Sequence, residues 1–174
     1  GSGNYSFFIP KDITFGKDRQ GILVDEFIFD TAPFPESHAS TIVETTEVIV
    51  AAWFGGTKEK NPDCCIWVSR NIKGKWPAPV MVADGIIGNQ EKRACWNPVL
   101  SLAPNGELLV FYKVGLDVPR WTGHLIRSKN NGKTWSKSES LPDGFLGPIK
   151  NKPVYIGNRM ICPSSTEGEL GWRV

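Results

Sequence analysis

Ser128-Lys129-Asn130-Asn131-Gly132-Lys133-Thr134-Trp135 is the stretch on which the reading of the whole chain turns. Asn130 and Asn131 can bend the backbone through side-chain hydrogen bonds, Gly132 can take positive φ without a Cβ clash, and Trp135 supplies a large apolar anchor. These eight residues predict a tight hairpin turn pinned to a core. The preceding run His124-Leu125-Ile126-Arg127 predicts a strand. A degenerate copy, Ser69-Arg70-Asn71-Ile72-Lys73-Gly74-Lys75-Trp76, stands upstream. Two copies of one unusual turn predict a repeat.

Working outward from the turns, the same order of segments recurs. First strands begin near Ser40-Thr41-Ile42-Val43, Pro98-Val99-Leu100-Ser101 and Pro153-Val154-Tyr155-Ile156, spacings of 58 and 55 residues. Second strands follow at Val48 to Trp53, Leu108 to Lys113 and Met160 to Pro163. Third strands follow at Cys65 to Val68, at His124 to Arg127 and from Gly171 onward. A four-stranded unit of this length is what a propeller blade demands. The expected fold is all-β, a β-propeller of four-stranded blades, with residues 1–20 irregular and 21–174 covering about the first three blades. The strand expected at Ile22 to Phe29 would close the ring by pairing into a last blade. Open blade edges predict poor folding without partner blades.

Composition fits many short strands. Eighteen Gly, thirteen Pro and seven Trp are spread along 174 residues, which favours turns and short strands over long helices. A net charge of +2, with no basic stretch interleaved with aromatics, argues against nucleic acid as a partner. No run approaches the roughly 20 apolar residues of a membrane span. Gly1-Ser2-Gly3 reads as a tag remnant, which leaves a removed secretion signal open. Cys64, Cys65, Cys95 and Cys162 lack paired metal-ligand spacing and read as buried free thiols. Neither a metal nor any other cofactor is expected.

Strand direction alternates within a unit, so the start of the first strand and the loop between the second and third share one end. The Gly/Trp turn lies at the other end. The first end, or mouth, collects Glu36, Ser37, His38, Arg93, Trp96, Asn97, Lys150, Asn151 and Lys152. Loops add residues 57–63, Asp117, Arg120, Trp121 and the run from Ser164 to Glu167. First strands line a propeller axis, so their starts converge on a central pocket. Its inventory is polar, mixed in charge and rich in indoles, which suits a sugar. Arg93, Lys150 and Lys152 can hold a substrate carboxylate. Each residue also has a structural reading: Lys150 and Lys152 as solvated loop charges, Trp96 as core, Asn97 as a cap before Pro98, His38 as a satisfied histidine. His124, on a third strand, reads as structural.

Beyond the Asp-box-like turn, with Asn130 where that motif usually has Asp, several stretches carry a more specific resemblance. They are Ser37-His38-Ala39-Ser40-Thr41-Ile42-Val43-Glu44, Ala51-Ala52-Trp53-Phe54-Gly55-Gly56, Ile66-Trp67-Val68-Ser69-Arg70, Cys95-Trp96-Asn97-Pro98, Gly147-Pro148-Ile149-Lys150-Asn151-Lys152-Pro153 and Cys162-Pro163-Ser164-Ser165-Thr166-Glu167. Over Phe34 to Val174 the chain resembles the sialidase-like BNR/Asp-box family of six-bladed propellers, in the branch labelled predicted exo-sialidase. The resemblance implies an arginine triad for a substrate carboxylate, an aspartic acid as acid/base, and a tyrosine with a glutamate partner as nucleophile. The first triad arginine belongs in a Phe-Arg-Ile-Pro motif, where this chain has His38. The acid/base belongs in the 54–63 loop, where Asp63 and Glu59 both qualify. The remaining groups would come from later blades.

The activity implied is hydrolysis of a terminal, acidic sugar, with Asp63 or Glu59 as acid and His38 as substrate contact or proton-transfer group. Arg93, Trp96, Asn97, Lys150, Asn151, Lys152 and Glu167 are the expected substrate contacts. The partners implied are a glycan and the remaining blades, and the implied compartment is extracellular or periplasmic. Two alternatives stay open: a non-catalytic glycan-binding propeller, and a polysaccharide-active propeller with different chemistry, such as elimination with His38 as base.

Overall fold

The structure, a computed structural model, describes Ile28, residues 32–157 and 159–162, and the backbone alone of Thr166–Gly168 and Gly171–Arg173. The irregular segment expected at 1–20, all but Ile28 of the strand expected at Ile22 to Phe29, Ser164, Ser165 and the side chain of Glu167 lie outside the described residues.

Two four-stranded antiparallel meanders dominate. The first comprises β1 (Glu36–Glu44), β2 (Ile49–Gly56), β3 (Cys65–Asn71) and β4 (Val80–Ala83), in spatial order β1-β2-β3-β4. The second repeats that order with β5 (Cys95–Leu102), β6 (Leu108–Val114), β7 (Thr122–Ser128) and β8 (Glu139–Ser140). A single 3-10 turn at Val118–Arg120 is the only helical element among the described residues. No helix among them is long and apolar enough to cross a membrane.

The sequence dictates the two central strands through β-branched and aromatic runs buried on both faces. The pleat then sorts each run by parity. Val50, Ala52 and Phe54 of β2 meet Leu108, Val110, Tyr112 and Val114 of β6 in one core between the two sheets. The odd-numbered Ala51 and Trp53 turn the other way onto Phe34, while Leu109 and Phe111 join Leu125 on the far side of the second sheet. Each of these Val, Leu and Phe side chains contributes ~1.5–3 kcal/mol on leaving water. Close packing explains Gly55 and Gly56: a Cβ at Gly55 would lie 2.8 Å from Phe34, and one at Gly56 2.8 Å from an Asp63 carboxylate oxygen.

The organising turn forms as expected after β7. Asn131 and Gly132 take φ of 56° and 78°. Asn130 Oδ1 accepts from Thr134 N at 2.9 Å and from Ser128 Oγ at 3.0 Å, and Asn130 Nδ2 donates to Thr134 Oγ1 at 2.8 Å. Ser128 Oγ accepts from Gly132 N at 2.9 Å. Trp135 packs on the core between the sheets, and Arg70 Nε reaches Asn131 O at 2.7 Å to tie the turn to the first sheet. The upstream copy differs in detail. Lys73 and Gly74 carry the positive φ, and the backbones of Ile72 and Lys75 pair across them, which makes a two-residue hairpin turn. Asn71 Oδ1 accepts from Gly74 N at 2.9 Å.

Two corrections concern strands. The third unit is not one sheet among the described residues: β9 (Val154–Ile156) pairs with β10 (Arg159–Ile161), and β11 (Thr166–Gly168) pairs separately with β12 (Gly171–Arg173). These three-residue strands offer few ladder bonds, and Val154, Ile156, Met160 and Ile161 stay exposed, so little burial supports the β9–β10 hairpin. Thr166 and Glu167 therefore sit in a strand rather than in the expected loop, with Glu167 opposite Trp172.

The first strands also begin earlier than expected, at Glu36 and Cys95. A bulge interrupts each, between His38 and Thr41 and between Trp96 and Val99. Ala39 and Asn97 take φ of 50° and 38° at the corresponding bulge positions, 58 residues apart. His38 and Trp96 consequently lie inside their strands rather than before them.

Candidate functional site

Register fixes the mouth. Glu36 pairs with Gly56 and Gly55 with Cys65, while Cys95 pairs with Val114 and Val114 with Thr122, so these residues share one end of each sheet. Cys95 N donates to Cys64 O at 2.9 Å and Arg93 N to Gly85 O at 3.0 Å, which joins the two ends side by side. The Gly/Trp turns close the opposite ends.

His38 is open to solvent, its side chain 42% exposed, and its ring stacks on Phe54 with centroids 5.4 Å apart. Its Nε2 stands 3.5 Å from Glu36 Oε2. That carboxylate oxygen also accepts the Glu59 amide at 2.8 Å. The amide bond first, and His38 next, hold the Glu36 carboxyl below its ordinary value. From His38 an aromatic row continues inward: Phe54 to Trp96 at 5.9 Å, then Trp96 to the half-buried Trp121 at 5.4 Å. The sequence pattern alone assigns no chemical role to Phe54 or Glu36.

The 57–63 loop separates its two carboxylates. Asp63 Oδ2 accepts the Thr57 amide at 3.1 Å, which makes this side chain the clasp of the loop. Glu59 is exposed near the loop's tip and reaches Glu36 through its backbone.

The remaining candidates divide. Trp96 is 5% exposed and donates Nε1 to Gly115 O at 2.8 Å, so its ring belongs to the core and offers no open face. Arg93 is half-exposed and pairs with Glu91 at 2.9 Å. Asp117 and Arg120 pair with each other. Lys150 and Asn151 are exposed just before β9. Lys152 turns away to donate to Leu100 O at 2.6 Å and Thr41 Oγ1 at 3.4 Å, a cross-link between β1 and β5, and burial lowers its pKa. His124 is buried between Thr122 Oγ1 at 2.8 Å and Ser140 Oγ, and burial lowers its pKa too, as suits a structural residue. Cys64, Cys65 and Cys95 are buried free thiols, pushed up by desolvation, Cys64 to about 11. A metal cluster of three His, Cys, Asp or Glu is absent among the described residues.

A family model described as BNR repeat-like domain matches residues 47–174, well over half of the chain. The chain belongs to the BNR repeat-like domain family. Among solved structures, this BNR repeat-like chain is similar to the Hadza microbial sialidase Hz136, at 15% identity over 62% of its length with a TM-score of 0.50. It is also similar to a protein of unknown function from Dyadobacter fermentans, at 16% identity over 78% of its length with a TM-score of 0.47. The chain spans 26% and 44% of those two proteins, less than half of either. No curated protein matches it. The likeness to the sialidase gives the BNR repeat-like chain a sialidase-like fold: all-β, in antiparallel four-stranded sheets.

Proposed function

We propose that this chain is part of a six-bladed, sialidase-like β-propeller that removes a terminal acidic sugar from glycans. The observation that carries this reading is the exposed His38–Glu36 pair at the mouth, beside Glu59. A carboxylate that orients an imidazole makes a proton-transfer group. His38 stands where the family resemblance implies an arginine, so it exchanges a permanent charge for one that can move a proton. Glu59 supplies the acid, since its carboxylate faces solvent while Asp63 clasps the loop. Arg93, Lys150, Asn97 and Asn151 hold the substrate's carboxylate and hydroxyls, and Glu167 is a further contact. Lys152 and Trp96 support the mouth from behind. The nucleophile comes from elsewhere in a complete ring, and the protein acts outside the cytoplasm, on an extracellular or periplasmic glycan.

The His38–Glu36 pair also favours a second reading, elimination from a uronic acid: His38 takes the proton from the carbon next to the carboxylate, a carbon–carbon double bond forms, and the glycosidic oxygen leaves the neighbouring carbon with a proton from Glu59. The deciding experiment offers sialosides and uronic-acid oligosaccharides in parallel. Release of an intact acidic sugar supports hydrolysis, an unsaturated product absorbing in the ultraviolet supports elimination, and binding without product supports a glycan-binding propeller.

A further inference from the structure

Lys113 stands where the pattern of β6 would put an apolar side chain. It ends the run Leu108-Leu109-Val110-Phe111-Tyr112 in the centre of the second sheet, and it is 0% exposed. Its ammonium donates to Asn97 O at 3.1 Å and to Pro148 O.

The β5 bulge explains why a donor is needed there. Asn97 and Pro98 fall between the ladder pairs Trp96–Lys113 and Val99–Phe111, so the half-buried Asn97 carbonyl falls out of the ladder register, and a carbonyl drawn from water without a partner is costly. The β1 bulge is a control within the same molecule. Phe54 pairs with His38 just as Lys113 pairs with Trp96, and residues 37–40 are exposed, so water can serve that bulge and an apolar partner suffices. Among the described residues the second bulge differs in being covered, by the segment that carries the buried Pro148.

We propose that Lys113 is a positioning residue: its ammonium ties the β5 bulge to the 147–150 segment and thereby sets Asn97 and Lys150 at the mouth. This rests on the reading of those two residues as substrate contacts. Burial brings Lys113 down to about 7, so the strength of the tie changes within the neutral range. Around it, β5 presents Trp96 and the Asn97 carbonyl, β7 presents Gly123, and the covering segment presents Pro148 with Lys150 exposed beyond. Cys162 is the titratable group beside Lys113, and burial pushes its thiol up.

The test follows backbone amide resonances of the chain and of Lys113→Met by solution NMR from below to above neutral pH, with no sugar present. The expected result is one shared midpoint near pH 7 for the amides of Asn97, Val99, Ile149 and Lys150, lost in Lys113→Met, with β2 amides unchanged. Absence of a shared midpoint in the unaltered chain overturns the proposal, even if the variant fails to fold. So does a Lys113→Met spectrum in which β2 and β3 move as much as the mouth, the mark of a core residue only. Because no glycan enters the test, a chain inactive on sugars can still keep the midpoint, and the two readings fail separately.

Discussion

Replacing Asn130 by alanine isolates the turn that organises the second sheet. Asn130 is exposed, so the change opens no cavity, and what it removes is three side-chain hydrogen bonds: two accepted by Oδ1 and one donated by Nδ2. At ~0.5–1.5 kcal/mol each, discounted for exposure, the loss sums to about 2 kcal/mol. The Thr134 amide and the Ser128 hydroxyl lose their acceptor together, and the link from Arg70 to Asn131 O weakens as the turn loosens. Asn130→Asp is the control: it keeps both acceptor roles and loses the donor alone, so it falls within about 1 kcal/mol of the parent. Urea unfolding of the three chains, followed by tryptophan fluorescence, gives the difference at an unchanged slope. An alanine variant within about 0.5 kcal/mol of the parent, or an aspartate variant as damaged as the alanine, refutes the account of the turn.

Two further predictions concern the mouth. Lys113 drops from 10.5 to about 7 on folding because its charge is desolvated. Between those values the unfolded chain holds a proton the folded chain has lost, so stability rises with pH by at most about 1.4 kcal/mol per unit; below the folded value both states are protonated and the slope vanishes. Between neutral pH and about pH 9 the urea midpoint climbs more steeply for the parent than for Lys113→Met, whose remaining slope comes from Lys152 and the buried thiols, and parallel curves would contradict the assignment. In the 57–63 loop, Asp63→Ala speeds proteolytic nicking by losing the Thr57 clasp, whereas Glu59→Gln leaves nicking unchanged and abolishes product release. The reverse pattern would exchange their roles.

The central strands were legible because a short unbroken apolar run between turn residues suits a strand covered on both faces. The turn was legible because Asn, Gly and Trp each have a geometric reason to be there. The mouth was legible as a location, since alternation of strand direction alone assigns ends. What escaped was set by the bulges. Ala39 and Asn97 break the ladder with positive φ, so pattern reading starts the strands at Ser40 and Pro98 and leaves His38 and Trp96 outside them. Indole size and polarity are the same in a core and on a platform, and only the Gly115 carbonyl separates the two for Trp96. Lysine usually marks a solvated position, so Lys113 hid inside an apolar strand; a charge flanked by Tyr112 and Val114 was the available signal. Lys152 was hidden for a different reason, because its partner carbonyl, Leu100, lies 52 residues away.

The most direct test of the proposed chemistry runs the reaction with acidic oligosaccharides in heavy-oxygen water and weighs the products. Hydrolysis at this mouth predicts a released acidic sugar that carries one heavy oxygen, lost when His38 is replaced by alanine. An unlabelled, unsaturated sugar, or no released sugar at all, would contradict it.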